Sequence, residues 1–298
     1  MKKQTQKSGT KRSALFWIVI AALVVLLAMA FDCRLCVRYY DVPTPEITSP
    51  VRIVLITDLH ACYYGNNQET LIRAIDAQSP DLVLLGGDIF DDEMADSNTE
   101  IFLQGISGRY PCYYVTGNHE CWSGKEDFQR KMSILAQYHV TILSNQCQTI
   151  EINGNIINLC GINDPDAYMV EWDPESNPQE YLAAQNGKLD TFRHHLDALQ
   201  AQTEHFTILL SHRPELFESY VAEGFDLVLC GHAHGGQWRI PGILNGVFAP
   251  NQGIFPPYAG GKYENGDTTM IVSRGLARES TLVPRIFNPP ELVVITLT

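Results

Sequence analysis

The chain has 298 residues, 45% of them apolar, and a formal charge of −13; that is enough apolar material for one large core. Five of its 21 basic residues, Lys2, Lys3, Lys7, Lys11 and Arg12, precede the first acidic residue, Asp32, so the remainder sets 16 cations against 34 anions, a charge of −18. So acidic a body excludes nucleic-acid binding by general phosphate attraction, which needs clustered Lys and Arg.

Along the chain, residues 14–31 form a charge-free run of Ile, Val, Leu and Ala behind the basic segment 1–13. Eighteen residues lie at the short end of a bilayer span, and the flanking cations place the N-terminus in the cytoplasm and the body outside. We read this run as a transmembrane anchor, with a cleavable signal peptide ending at Ala28-Met29-Ala30 as the alternative. Residues 32–50, which include the Pro- and Thr-rich stretch DVPTPEITSP, read as a linker, and the domain is expected to occupy 51–298. Within it, apolar strand-like runs at 52–57, 81–85 and 112–116 alternate with helical spacings at 68–78, 93–107 and 126–138. That rhythm indicates a sheet buried on both faces. A hairpin about Asn153-Gly154 joins 149–152 to 155–161. A helix over 189–202, strands over 206–210 and 227–230, Gly- and Pro-rich loops over 235–261, and strands over 268–273 and 291–297 complete a two-sheet α/β sandwich covered by helices, in one domain. Of the eight cysteines, Cys160 and Cys230 fall inside strand-like runs and read as packed thiols. Cys33 and Cys36 form a single CxxC, a weak metal signal by itself.

Five polar clusters each end an apolar run: DLH (Asp58, His60), GGD (Asp88), GNHE (Asn118, His119), SHRP (His212) and GHAH (His232, His234). Each falls at the carboxyl end of a predicted strand, where the loops of an α/β sheet converge on a ligand crevice. Strand alternation would let Asp58 and His60 face one ion together, and His232 and His234 likewise if their strand persists. Asp, Asn and neutral His suit divalent Mn, Fe or Zn, and no thiolate is required. Asp88, central in the series, is the candidate bridge between two ions, which would activate a water and neutralise phosphoryl oxygens during in-line displacement.

DLH, GGDIFDD, GNHE, SHRP and GHAH, in this order, resemble the signature of calcineurin-like metallophosphoesterases, over about 52–297. The resemblance implies a four-layer sandwich of two mixed sheets flanked by helices. It implies two divalent metals, one held by Asp58, His60, Asp88 and His234 and the other by Asp88, Asn118, His212 and His232. His119 would be the catalytic acid, or a stabiliser of transition-state charge, and Asp91 a partner behind the ligands. GHAHGGQWRIPG, PPYAGGKY, SRGLARE and PRIFNPPEL resemble its membrane-anchored or exported bacterial branch, some members of which cleave UDP-2,3-diacylglucosamine. The implied activity is hydrolysis of a phosphodiester or pyrophosphate bond by metal-activated hydroxide. The implied substrate is a phosphorylated small molecule or a lipid-linked or envelope compound at a membrane. A phosphomonoesterase and a non-catalytic metal-binding scaffold are the alternatives.

Of the cations near the motifs, Arg274 is the best candidate to contact a substrate phosphate, ahead of Arg239 and Arg213. Asp164 is a candidate for the substrate rim with Asp166, although an Asp-Pro turn accounts for it as well. Trp238, Phe255 and Tyr258 would line an apolar pocket, contact a bilayer, or simply pack within their loops. His139, His194, His195 and His205 lie outside the clusters and receive no role.

Overall fold

A computed structural model of the chain describes residues 6–199, 205–278 and 283–298, with side chains from residue 14 onward. One six-stranded sheet has the order β1-β14-β2-β3-β4-β5: β1 is Cys36–Val42, β2 Val51–Ile56, β3 Leu82–Gly86, β4 Cys112–Val115, β5 Thr141–Ile142 and β14 Glu291–Leu297. The other has the order β12-β13-β9-β8-β7-β6: β6 is Gln146–Ile152, β7 Asn155–Gly161, β8 Thr207–Leu210, β9 Leu227–Cys230, β12 Gly261–Asn265 and β13 Thr268–Val272. Both sheets are mixed, because β2 to β5 and β7 to β9 run parallel while β14 against β2, β6 against β7 and β12 against β13 are antiparallel.

Side-chain alternation divides each strand between two cores. Ile53, Leu55, Leu82 and Leu84 meet Ile157, Leu159, Ile208, Leu210, Leu227 and Leu229 between the sheets. Val54, Ile56, Val83 and Leu85 turn the other way, onto Leu71 and Ile75 of α2 (Glu69–Asp76), Phe102 and Leu103 of α3 (Ser97–Ile106) and Leu135 of α5 (Lys125–Gln137). Val228 and Cys230 pack with Phe192 and Leu196 of α6 (Pro178–Ala198) and Tyr220 of α7 (Phe217–Ala222). The result is the expected sandwich of two mixed sheets with helices on its outer faces. The hairpin turn also forms as expected, with Asn153 and Gly154 both at positive φ.

Three sequence expectations need correction. The stretch 32–50 is not all linker, since β1 lies within it and pairs in parallel with β14 over its whole length, Cys36 opposite Glu291 through Val42 opposite Leu297. Edge pairing to a distant strand leaves little local trace, and the Pro-rich tail that follows drew attention away from it. The helix expected at 189–202 begins eleven residues earlier, at Pro178, where Asn177 accepts a hydrogen bond from the Glu180 amide at 3.4 Å; positions 200–202 of the expected helix lie outside the described residues.

The transmembrane span expected at 14–31 is not shown. The segment is helical within α1 (Gln6–Ala30) and its apolar side chains, Leu15 to Ile18 among them, are exposed. Among the described residues no helix is long and apolar enough to cross a membrane. Of the basic segment, residues 1–5 lie outside the described residues. Finally, Cys160 is not a packed thiol. It forms a disulfide with Cys147, its cross-strand neighbour in the β6–β7 ladder, whereas Cys230 is a buried thiol. Unfolded without reduction, the protein should therefore expose six alkylatable cysteines, and eight after reduction, as intact-mass measurement would count them.

Candidate metal centre

All five clusters follow strand ends on one rim of the sandwich: Asp58 and His60 after β2, Asp88 after β3, Asn118 and His119 after β4 at the start of α4 (Asn118–Trp122), His212 after β8, and His232 and His234 after β9. The strands stop short of the ligands. Asp58, His60, Asp88, His232 and His234 instead adopt left-handed backbone conformations, with φ between 46° and 64°. Strand alternation is thus not what gathers Asp58 with His60, and it does not place His232 beside His234. The sharp turns send those two histidines to different donor groups. One group comprises Asp58, His60, Asp88 and His234, the other Asp88, His212 and His232; in each, one donor atom per residue lies within 4.8 Å of the rest.

Asp88 belongs to both groups. Its Oδ2 lies 3.1 Å from His212 Nε2 and 3.7 Å from His60 Nε2, and its Oδ1 accepts the His119 amide at 2.9 Å. Glycines permit this crowding. A Cβ on Gly117 would stand 2.1 Å from Asp88 Oδ1, and one on Gly87, whose φ is +87°, 2.6 Å from His212 Nδ1.

The donor set fits divalent cations on evidence within this fold. Asp58 Oδ2, His60 Nε2, Asn118 Oδ1 and His234 Nδ1 are buried and, among the described residues, have no hydrogen-bond partner. Leaving such atoms unmade costs roughly 1–3 kcal/mol each, a cost that coordination removes. The opposite ring nitrogens are oriented. His60 Nδ1 lies 2.8 Å from Asp91 Oδ2, and His212 Nδ1 2.8 Å from the Gly86 carbonyl, so each donates a proton there and keeps Nε2 for the centre. His232 Nε2 lies between two partners, 2.8 Å from the Asn251 side-chain oxygen and 2.9 Å from Arg213 Nη1, which can only donate and also bonds that oxygen at 2.6 Å.

Burial sets the protonation states. It lowers His232 and His234 far below the usual imidazole range, with help from Arg213 and His212 in the first case and from His60 and Arg285 in the second, so both are neutral, as ligands must be. Burial would lower His212 too, but the charge and hydrogen bond of Asp88, with Asp58 beyond, outweigh it and hold it at about 10. The same His212 cation pulls the buried Asp88 well below the usual carboxylate range against its desolvation, while burial and the Asp88 charge push Asp58 up.

Several residues that sequence reasoning left aside complete the site. Glu120, the last letter of GNHE, is fully buried and accepts the amides of Asp88, Ile89, Phe90 and Gly117 at 2.7–3.0 Å, tying the GGD loop to the GNHE loop. Asp92 Oδ1 is 2.5 Å from His119 Nδ1 and orients the ring that faces His60 at a centroid distance of 4.4 Å; the paired acids of GGDIFDD were its only trace in the sequence. Arg213 is buried and lines the cavity, bonded to both oxygens of Asp164 and, at 3.3 Å, to Asp166. Arg274, expected at the substrate, does not line the cavity; its guanidinium is spent on Asn245 Oδ1 at 2.8 Å and the Gly260 carbonyl. Nor does Asp164, whose carboxylate is committed to Arg213, while Asp166 beside it does. Trp238, Phe255 and Tyr258 are absent from the cavity wall as well; Tyr258 packs on Phe217 and Tyr263.

The cavity, about 1020 Å³, opens from Asp88, Asn118, His119, His232 and His234 toward Trp122, Met169, Val170, Trp172 and Leu189. Lys125, Glu126, Glu171, Asp173 and Lys188 line it as well, so the wall away from the donors is both apolar and charged.

Three outcomes are expected of this geometry. Because the His212 proton must leave before a cation takes Nε2, metal binding should release a proton near pH 7, and affinity should rise as pH approaches about 10; titration calorimetry in buffers of different ionisation enthalpy checks this. By the same linkage, in ion-free protein the raised His212 should stabilise the fold fully below about pH 6.5 and cease to do so as pH rises through about 10, while the lowered Asp88 contributes fully only above about pH 4. Glu120→Ala, which strands four buried amides, should cost more than about 3 kcal/mol in urea unfolding.

Comparison with known proteins places this geometry. Residues 51–236 match the calcineurin-like phosphoesterase family. An uncharacterized metallophosphoesterase of Campylobacter jejuni is 29% identical over 269 residues, covering 88% of this chain and 63% of the relative; the chain thus spans somewhat under two thirds of that protein's length. The phosphodiesterase YaeI of Escherichia coli is 27% identical over 254 residues, 84% of this chain and 83% of YaeI. A dimetal phosphatase from Danio rerio shares the fold with a TM-score of 0.50 at 11% identity, over 76% of this chain and 88% of that one. The rim of strand-end carboxylates and imidazoles and the family match over most of the domain agree: the chain belongs to the calcineurin-like metallophosphoesterases, hydrolases of phosphoric esters.

Proposed function

We propose that the protein is a dinuclear phosphodiesterase or pyrophosphatase acting at a membrane on a substrate that joins a phosphate to an apolar body. The two donor groups that share Asp88, with four buried donor atoms left unpartnered around it, carry the dinuclear reading. Asp58, His60, Asp88 and His234 would hold one ion, and Asp88, Asn118, His212 and His232 the other. When bound, such ions acidify a water and neutralise phosphoryl oxygens.

The chain's own residues do the rest. Asp91 and the Gly86 carbonyl accept the Nδ1 protons of His60 and His212 and so turn their Nε2 atoms to the centre. His119 stands at the cavity wall with its Nδ1–H donated to Asp92, which turns Nε2 toward the cavity; as the imidazolium it would give the Nε2 proton to a leaving oxygen, the role of a general acid. Arg213 at the wall is preset by Asp164 and offers fixed positive charge beside the centre.

Membrane attachment is supported by the exposed apolar flank of α1, and the cations ahead of it favour a cytoplasmic N-terminus with the catalytic domain on the far side. Within the mixed cavity wall, Trp122, Trp172 and Leu189 offer apolar surface that suits the acyl or isoprenoid part of a lipid-linked phosphate. Purified protein supplied with Mn should hydrolyse bis-p-nitrophenyl phosphate faster than p-nitrophenyl phosphate. Asp88→Ala should fall to background, and His119→Ala should lose about 10²–10⁴ in kcat. Full turnover by Asp88→Ala would remove the proposed centre, and a preference for the monoester would make the protein a phosphomonoesterase.

A further inference from the structure

The loops between β9 and β12 differ in composition from the rest of this acidic chain. From Gly231 to Tyr263 there is no Asp or Glu, and from Gly231 to Gly260 the one formally charged residue is Arg239. This segment is an ordered lobe. Val247 donates to the Trp238 carbonyl, Phe255 to the Val247 carbonyl and Leu244 to the Ile240 carbonyl, and β10 (Phe248–Ala249) pairs with β11 (Gly253–Ile254). Yet its large apolar side chains point outward: Ile243 is 83% exposed, Ile254 71% and Phe255 65%, with Trp238, Ile240 and Phe248 also exposed. Six large apolar side chains exposed within one lobe mark an interaction site.

What covers it is indicated by its neighbour. Trp238 Nε1 donates to the Pro284 carbonyl, Arg239 N to the Ile286 carbonyl, and Phe287 N to the Ala30 carbonyl at the last residue of α1. The lobe is therefore joined through residues 284–287 to the root of the helix whose apolar side chains are themselves exposed. Two apolar surfaces meeting at one junction, each on a stretch of chain cleared of acids, match a bilayer whose surface is anionic. The same lobe is rooted at the ligand-bearing loop of His232 and His234 and brings Pro250 and Asn251 to the cavity wall.

We propose that the 238–255 lobe is a second bilayer-contact surface, seated in the interfacial region beside α1 so that the mouth of the catalytic cavity is held against the lipid. This rests on the membrane attachment proposed above. Its consequence is positional: a lipid-linked phosphate would reach the metal centre by sliding along the interface, without leaving it.

The test uses the full chain in vesicles of phosphatidylcholine and phosphatidylglycerol, with Cys33→Ser and Cys36→Ser to silence the two partly exposed thiols. An environment-sensitive fluorophore is placed in turn on Ile243→Cys, Ile254→Cys and, as control, Ile156→Cys, an exposed position at the start of β7, at the opposite end of the sheet from the ligand loops. Interfacial seating buries side chains about 5–10 Å into the headgroup boundary, so the probes at 243 and 254 should shift to shorter wavelength and be quenched by nitroxide-bearing lipid several-fold more than the probe at 156. If the protein floats with the vesicles while 243 and 254 remain as accessible to iodide as 156, the lobe does not touch lipid and only this inference falls. If the chain stays out of the vesicle fraction, membrane attachment falls with it.

Discussion

Two carboxylates, Asp58 and Asp88, are buried within a few ångströms of one another and of four imidazoles, and everything else at this site follows from the need to keep them there. A buried charge is tolerated only when paired. In the ion-free protein the pairing is supplied by a protonated His212, which works for one carboxylate and leaves the other raised toward neutrality. Divalent cations would replace that single proton with enough charge for the whole set. The neutral states of His232 and His234 and the unpartnered atoms of Asp58, His60, Asn118 and His234 have the same explanation.

Holding such a set requires backbone that ordinary strands do not provide. Five of the candidate ligands occupy left-handed conformations that cost non-glycine residues roughly 1–3 kcal/mol each. The surroundings impose them. Glu120 gathers four amides from two loops, Asp58 Oδ1 accepts the His232 amide at 2.9 Å across the gap between the two sheets, and the Asp58 and His60 amides bond to the carbonyls of Gly87 and Asp88. Each of these bonds joins loops from different strands, so the centre and the stacking of the sheets support one another.

The cavity repeats this division of labour. Arg213 is preset by Asp164 and Asn251, and Arg213 and Asn251 both reach His232 Nε2, so one chain of hydrogen bonds couples the wall that would meet substrate to a candidate ligand of the centre. Asn251 comes from the acid-free lobe. A surface seated on lipid would thus be linked by three residues to the chemistry.

The sequence by itself determined the sandwich and the identity of the donors, because both are written locally: strand and helix periods survive in short windows, and polar clusters at the ends of apolar runs need no partner to be noticed. The assignment of His232 and His234 to separate groups came from the family resemblance and not from spacing, since i, i+2 counting presumes a strand that the fold ends at Cys230. Tertiary structure alone decided which arginine faces the cavity. Arg213 and Arg274 look alike in sequence, and only the placement of Asp164 on one side and of Asn245 with the Gly260 carbonyl on the other separates them. The same holds for Cys147–Cys160, for the edge strand β1 and for the clamp made by Glu120. Each depends on a residue brought close by a long chain closure, and no local pattern encodes a contact that only folding creates.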